Sequence, residues 1–187
     1  MRIAIIGPQN TGKSTFVKDF LLQNKNYATP KETYRYVVIE KSLEINQKTG
    51  EESQEEIAKF LEKSIAENKD KDVLFDRCLI DNYVYSYIAC KKGNIKESYL
   101  EKLKDRVFES LKHIDLFVFI PTTVSVKLVD DALRDTETSF IDETNSVFIS
   151  FLFYLLKEKG IDIFVLYGDR EGRIERLNKR LSKELEW

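Results

Sequence analysis

The chain predicts an α/β fold, a three-layer α/β/α arrangement around a mainly parallel sheet of five strands. Three observations carry that expectation. Short apolar runs that read as buried strands alternate with longer amphipathic stretches along all 187 residues. A glycine-bearing turn, Gly7-Pro8-Gln9-Asn10-Thr11-Gly12-Lys13-Ser14, separates the first apolar run from the first amphipathic stretch. Most of the three prolines and seven glycines fall at boundaries between such stretches, so neither a linker nor a second domain interrupts residues 1–187. That length suffices to bury one substantial core.

Taken in order, Arg2 to Ile6 is the first buried strand, and Phe16, Val17, Phe20 and Leu21 repeat at helical spacing over 13–24. Tyr27-Ala28-Thr29 is the expected second strand, broken by Pro30, and a helix follows over 31–43 with Tyr34, Val37, Val38 and Lys41 in helical register. Glu32 and Arg35, at its start, fall near the carboxyl edge of the sheet, where open α/β sheets take their ligands. They read either as a substrate-contacting acid and base or as an ordinary solvated first turn. After a polar loop over 46–52, Ser53-Gln54-Glu55-Glu56 has the form of a capping box that opens a helix carrying Ile57, Phe60, Leu61 and Ile65.

Val73-Leu74-Phe75 reads as a buried strand that delivers Asp76 to the sheet edge, with Arg77 next. Ile80, Tyr83, Val84, Tyr87 and Ile88 form the apolar stripe of a helix ending near Gly93, while Asp81 and Tyr85 on other faces are candidates for substrate contact. Leu100, Leu103, Val107 and Leu111 mark a further helix, followed by the only histidine, His113, which suits a capping or surface role. Asp115 to Ile120 is the fourth strand. A polar, charge-rich segment over 129–137 leads into an apolar helix from Phe148 to Leu156, which stops at Gly160. Ile161 to Leu166 is the last strand, and Asp169 caps a final helix through Ile174, Leu177 and Leu181.

The chemistry is concentrated in the turn. It matches G-x-x-x-x-G-K-[ST] at every fixed position, and it has the strand before and the helix after that this motif requires. Successive N–H groups of such a loop curl around a polyphosphate, and the N-terminus of the next helix adds partial positive charge. The expected fold is therefore that of a P-loop NTPase, with Gly7, Asn10, Thr11, Gly12, Lys13, Ser14 and Thr15 binding ATP. Lys13 is expected on the β- and γ-phosphates and the Ser14 hydroxyl on Mg²⁺. Asp76 joins Ser14 as a candidate metal-shell residue, or as the group that accepts a proton from an attacking acceptor. Arg77 is suited to an anionic substrate group.

Composition excludes several classes. A formal net charge of −2 gives no general attraction to nucleic acid or anionic membrane, although Arg173, Arg176, Lys179, Arg180 and Lys183 collect in the last helix. A nucleic-acid acceptor is therefore possible but not favoured. Cys78 and Cys90, without C-x-x-C spacing, read as reduced thiols. The longest apolar run, Val147 to Leu156, is too short to cross a bilayer, and nothing at Met1 resembles a signal peptide, so a cytoplasmic location is expected. A GTP switch would show an Asn-Lys-x-Asp segment, and none occurs. Asp142-Glu143 superficially resembles an ATPase acidic pair, but no apolar strand delivers it, so a phosphate-loop ATPase without a small-molecule acceptor stands as the alternative reading.

The whole pattern resembles the small phosphate-loop kinases, a group including thymidylate and deoxynucleoside kinases and the kinase domain of the ribosylnicotinamide kinase family. Three motifs carry the resemblance: Gly7 to Ser14, the Asp76-Arg77 pair at the end of a strand, and Asp131-Ala132-Leu133-Arg134-Asp135-Thr136. The last is similar to a lid, here about 125–146, whose arginine closes on the triphosphate. The resemblance implies phosphoryl transfer from ATP to a small nucleoside- or nucleotide-like acceptor, with Lys13, Asp76, Arg77 and Arg134 as catalytic residues. Glu32 and Arg35 fall where one branch carries an acid-and-arginine segment, and with Asp81 they are the candidates for substrate contact.

Overall fold

The computed structural model describes residues 1–69, 72–122 and 137–184. Among these residues the sheet contains four strands, Arg2–Ile6 (β1), Val73–Asp76 (β2), Leu116–Phe119 (β3) and Ile163–Val165 (β4). All pair in parallel, in the order β2-β1-β3-β4. The fifth strand expected at Tyr27-Ala28-Thr29 is reduced, among the described residues, to one bridge between Ala28 and Val73. Ala28 donates to the Asp72 carbonyl (2.8 Å) and accepts from the Leu74 N–H (2.9 Å). The next ladder donor on that side would be residue 30, and Pro30 has none.

Seven α-helices surround the sheet among the described residues: Lys13–Gln23 (α1), Tyr34–Glu40 (α2), Glu51–Glu67 (α3), Leu79–Lys91 (α4), Glu97–Leu111 (α5), Thr138–Lys159 (α6) and Arg170–Glu184 (α7). Alternation along the strands sorts them into two layers. Ile3, Ile5, Leu74, Leu116 and Val118 face Phe16, Val17 and Phe20 of α1 with Ile174 and Leu177 of α7. Ala4, Ile6, Val73, Phe75, Phe117 and Phe119 face the larger core supplied by α2 to α6. The three-layer expectation holds, with both faces covered as a parallel sheet requires.

Some boundaries differ from the pattern-based reading. Helix α2 starts at Tyr34, because Thr33 is still extended. Helix α3 starts at Glu51 rather than with a capping box at Ser53. Gly50 is its N-cap, the Gln54 N–H already donates to the Gly50 carbonyl, and Ser53 is buried inside the first turns. The Gln54 side chain holds that start by donating to the Thr49 hydroxyl at 2.8 Å. Helix α6 begins at Thr138, so the carboxyl part of the expected lid is helical, whereas Arg134 and the rest of its motif lie outside the described residues. The end of α6 at Gly160 (φ 60°) and the Asp169 cap, which accepts from the Gly172 N–H at 2.8 Å, are as expected.

Candidate active site at the phosphate loop

Strand β1 runs directly into the loop. Gly7 has φ +140°, and a Cβ there would lie 2.3 Å from the Ile120 carbonyl oxygen, so the loop can leave the sheet here only without a side chain. Gly12, at φ +84°, is the N-cap of α1. Within the turn, the Thr11 hydroxyl donates to the Pro8 carbonyl at 3.0 Å. The buried Lys13 ammonium folds across the same carbonyl and lies 3.4 Å from the Thr11 hydroxyl. The opening N–H groups of α1 have no intrahelical acceptor, and its dipole places partial positive charge at this mouth.

The register of β2 brings the second motif alongside. Asp76 stands opposite Ile5, two residues before Gly7. Its Oδ2 accepts from the Ser14 hydroxyl at 2.5 Å. A hydroxyl and a carboxylate converging in this way are hard oxygen donors that fit Mg²⁺, which keeps several waters and takes few protein ligands. Among the described residues no cluster of three or more His, Cys, Asp or Glu offers an all-protein cage. Ser14 and Asp76 are the residues here that could hold such an ion.

Arg77 then turns the chain with φ +86°, a left-handed conformation costing a side-chain-bearing residue roughly 1–3 kcal/mol. Its N–H is held by the Ile5 carbonyl at 3.0 Å. Its guanidinium lies 5.0 Å from the Tyr34 ring centre, 5.3 Å from that of Tyr85, and 3.0 Å from Asp81 Oδ1. Asp81 is 1% exposed and also accepts from the Gly7 N–H (3.3 Å) and the Cys78 N–H (3.2 Å). Burial pushes its carboxyl above the usual range, against the pull of Arg77, Lys13 and those two N–H groups. One carboxylate thus ties the loop's first residue to the Asp-Arg turn and the start of α4. One turn later, Tyr85 accepts from the Gln9 N–H (3.1 Å) and donates to Gln9 Oε1 (2.6 Å). Burial pushes the Tyr85 phenol up to about 12, so it stays a neutral donor.

Two cavities open beside these residues. One is lined by Gln9, Asn10, Gly12, Lys13, Ser14, Thr15, Tyr34, Arg35, Asn46, Asp76 and Arg77. The second, more apolar, is lined by Tyr34, Ile45, Asn46, Gln54, Ile57, Leu61, Arg77, Asp81, Asn82 and Tyr85. Tyr34, Asn46 and Arg77 belong to both, so the cavities share a wall. In the second, Asn82 Nδ2 donates to Gln54 Oε1 (2.6 Å) and to its backbone carbonyl (3.0 Å). Asn82 Oδ1 is buried without a hydrogen-bond partner among the described residues.

Most of the sequence-derived candidates therefore converge. Asn10, Gly12, Lys13, Ser14, Thr15, Arg35, Asp76 and Arg77 share the first cavity, whereas Gly7 and Thr11 shape the loop without lining it. Asp81 lines the second, although its oxygens are engaged by Gly7, Cys78 and Arg77. Glu32 is exposed and lines a separate groove with Pro30, Phe60 and Lys63. Gln9, Tyr34, Asn46, Gln54 and Asn82 went unrecognised as site residues. Asn46 has φ +57°, but nothing local in the sequence distinguishes Gln54 and Asn82 from surface amides. Arg173 was read as part of a basic face. It is instead 6% exposed and donates from Nη1 to the Thr11 carbonyl at 2.8 Å. Arg176 lies over the Tyr167 ring and Arg180 pairs with Asp162, so these arginines of α7 have intramolecular contacts.

A search of curated protein sequences finds no match. Solved structures with the same fold include deoxyadenosine kinase from M. mycoides with products dCMP and a flexible dCDP bound. It is 17% identical, with a TM-score of 0.72 over 98% of this chain and 100% of the other. The same kinase with bound dCTP aligns at 17% identity and a TM-score of 0.71, with the same coverage. NadR protein in complex with NR is 18% identical with a TM-score of 0.71, over 95% of this chain and 50% of that one. At these identities the likeness is one of fold. A family model described as an AAA domain matches residues 2–173, which include the loop, the Asp-Arg turn and Arg173. The chain belongs to this AAA-domain family of phosphate-loop proteins.

Proposed function

We propose that the protein is a kinase that transfers the γ-phosphoryl group of ATP to a hydroxyl or phosphate of a small nucleoside- or nucleotide-like acceptor. The observation that carries this reading is the shared wall: Tyr34, Asn46 and Arg77 separate a cavity of phosphate-loop residues from one of apolar and amide groups. A loop serving only hydrolysis needs no second cavity of this kind beside its Asp-Arg turn.

The assignment of roles follows from position. Lys13 and the loop amides would hold the β- and γ-phosphates, and Ser14 with Asp76 would hold Mg²⁺, which when bound would supply charge neutralisation at the phosphoryl oxygens. One Asp76 oxygen faces Ser14, which leaves the other to accept the acceptor's hydroxyl proton as its oxygen bonds to the γ-phosphorus. The bond to the β-γ bridging oxygen breaks, and ADP leaves. Arg77, held between two aromatic rings and Asp81, orients the acceptor where the cavities meet. Ile57 and Leu61 provide the apolar side for a heterocycle, and Gln54 and Asn82 provide amide edges to read it. The fold shared with a deoxyadenosine kinase and NadR supports the same class of acceptor.

The test offers ATP and Mg²⁺ to the protein with nucleosides, mononucleotides, ribosylnicotinamide and 5′-hydroxyl oligonucleotides in parallel. ADP should form only with one of the small acceptors, and Asp76→Asn should lower that rate by about 10²-fold or more at unchanged melting temperature. ATP hydrolysis at the same rate in the absence of every acceptor would overturn the kinase reading in favour of an ATPase. Phosphorylation of oligonucleotides alone would overturn the small-acceptor part.

A further inference from the structure

Arg173 has an environment that packing alone does not explain. It projects from α7 onto the peptide between Thr11 and Gly12. Nη1 is 2.8 Å from the Thr11 carbonyl and 3.3 Å from where a Gly12 Cβ would stand. The side chain is 6% exposed, and its Nε has no hydrogen-bond partner among the described residues. Arginine keeps its charge in proteins. A cation is therefore buried with its hydrogen bond made to a neutral carbonyl and a donor unsatisfied. The Asp169 carboxylate offsets part of the burial cost electrostatically, but it is engaged by the Gly172 N–H.

The surroundings add positive charge. Lys13 is buried in the same turn, and the N-terminus of α1 is one residue away. Arg173 is also held firmly in place. Arg170 makes two hydrogen bonds to Asp19 of α1 (2.7 and 2.8 Å), and Ile174 and Leu177 are buried between α1 and the sheet. Helix α7 therefore presses a fixed guanidinium against the back of the loop. An arriving polyanion would offset the repulsion among these groups.

We propose that Arg173 is a positioning residue of the donor site, fixing the Thr11–Gly12 segment and adding a permanent positive charge on which polyphosphate affinity depends. The proposal rests on the phosphate-loop reading and extends it to a helix about 160 residues downstream. An ordinary strut would change stability only. A group acting on the bound anion changes affinity, and does so according to its charge.

The experiment is calorimetric titration of inorganic tripolyphosphate into wild type, Arg173→Met, Arg173→Gln and Arg173→Lys, with KM for ATP and for the acceptor measured separately. The Met and Gln variants should bind tripolyphosphate roughly tenfold more weakly, and Lys should recover most of the loss. KM for ATP should follow the same order while KM for the acceptor stays fixed. Unchanged affinity in folded Met and Gln variants would overturn the proposal and leave the loop reading intact. Wild type failing to bind tripolyphosphate would overturn both. If only Met fails to fold, Gln against Lys decides the matter. If all three fail, Arg173 is a structural strut and the proposal falls.

Discussion

Asp81→Asn is the substitution that most directly tests how the site is held. The asparagine has the same shape, but it exchanges one acceptor oxygen for an NH₂ donor and removes the charge. In the protein that carboxylate accepts from Arg77 Nη1 at 3.0 Å, Cys78 N–H at 3.2 Å and Gly7 N–H at 3.3 Å, at 1% exposure. Either amide orientation turns a donor towards a donor and leaves the Arg77 guanidinium without its hydrogen-bonded counter-charge. Removing one partner of a buried ion pair costs roughly 3–5 kcal/mol. For a chain of this size each kcal/mol lowers the melting temperature by about 2–4 °C, so a drop of roughly 10 °C is expected. The Arg77→Met/Asp81→Asn double variant should be little less stable than either single, because the second change removes a charge already stranded. Scanning calorimetry of the four proteins measures both quantities. A drop below about 2 °C for Asp81→Asn, or strictly additive losses, would refute the assignment of Asp81 as the tie between loop and Asp-Arg turn.

Three further expectations follow from single sites. Gly7→Ala should unfold at much lower urea than Gly93→Ala: both positions have positive φ, but the Gly93 Cβ meets nothing within 4 Å whereas that of Gly7 would lie 2.3 Å from a backbone carbonyl. The Gly93 change should cost only the left-handed strain of about 1–2 kcal/mol. Gln54→Leu removes the partner of Asn82 in the apolar cavity, so it should raise KM for the acceptor severalfold while leaving KM for ATP unchanged, in steady-state assays with each substrate varied in turn. Arg170 holds the Asp19 carboxyl below its ordinary value of 3.8 by hydrogen bonding, partly opposed by burial. A depressed folded-state value stabilises above 3.8 and loses that contribution as pH falls through the folded value. The melting-temperature difference between wild type and Asp19→Asn should therefore be constant near neutrality and shrink below about pH 4.

Where the chain could be read without a structure, one local pattern sufficed to define the element. Gly7 to Ser14 is such a case, because glycine, lysine and hydroxyl at fixed spacing demand a strand before and a helix after, and both are there. Asp76-Arg77 is another, since an apolar run ending in a carboxylate can deliver it only to the sheet edge. Legibility failed where the answer depended on distant partners. Ser53 to Glu56 has the composition of a helix start, yet Gly50 and Thr49 begin α3 earlier, and Glu56 pairs with Lys41 instead. Tyr27 to Thr29 has strand composition but its edge ladder stops at Pro30. Gln54 and Asn82, 28 positions apart, become a pair only when α3 packs against α4. Arg173 looked like one more surface cation because its acceptor is 162 residues away.

These distant partners explain why a polar line along one helix survives inside an otherwise apolar layer. Asp81, Asn82 and Tyr85 all belong to the first two turns of α4, and each reaches a different neighbour: the Gly7 and Arg77 turns, Gln54 of α3, and Gln9 of the loop. Replacing these residues together with their partners by apolar groups of similar volume is often neutral or stabilising, whereas replacing Asp81 alone strands Arg77. Apolar groups on both sides would let α4 slide or rotate by fractions of an ångström against the loop. Directional hydrogen bonds of 2.6–3.3 Å do not permit that. Phosphoryl transfer depends mostly on placement, and a 1 Å error can cost about 10²-fold in rate. The start of α4 thus fixes this side of the second cavity against the phosphate loop, with the strained Arg77 turn at its head. The polar line holds these elements in register, at the expense of stability that an apolar packing on both sides of the contact would have kept.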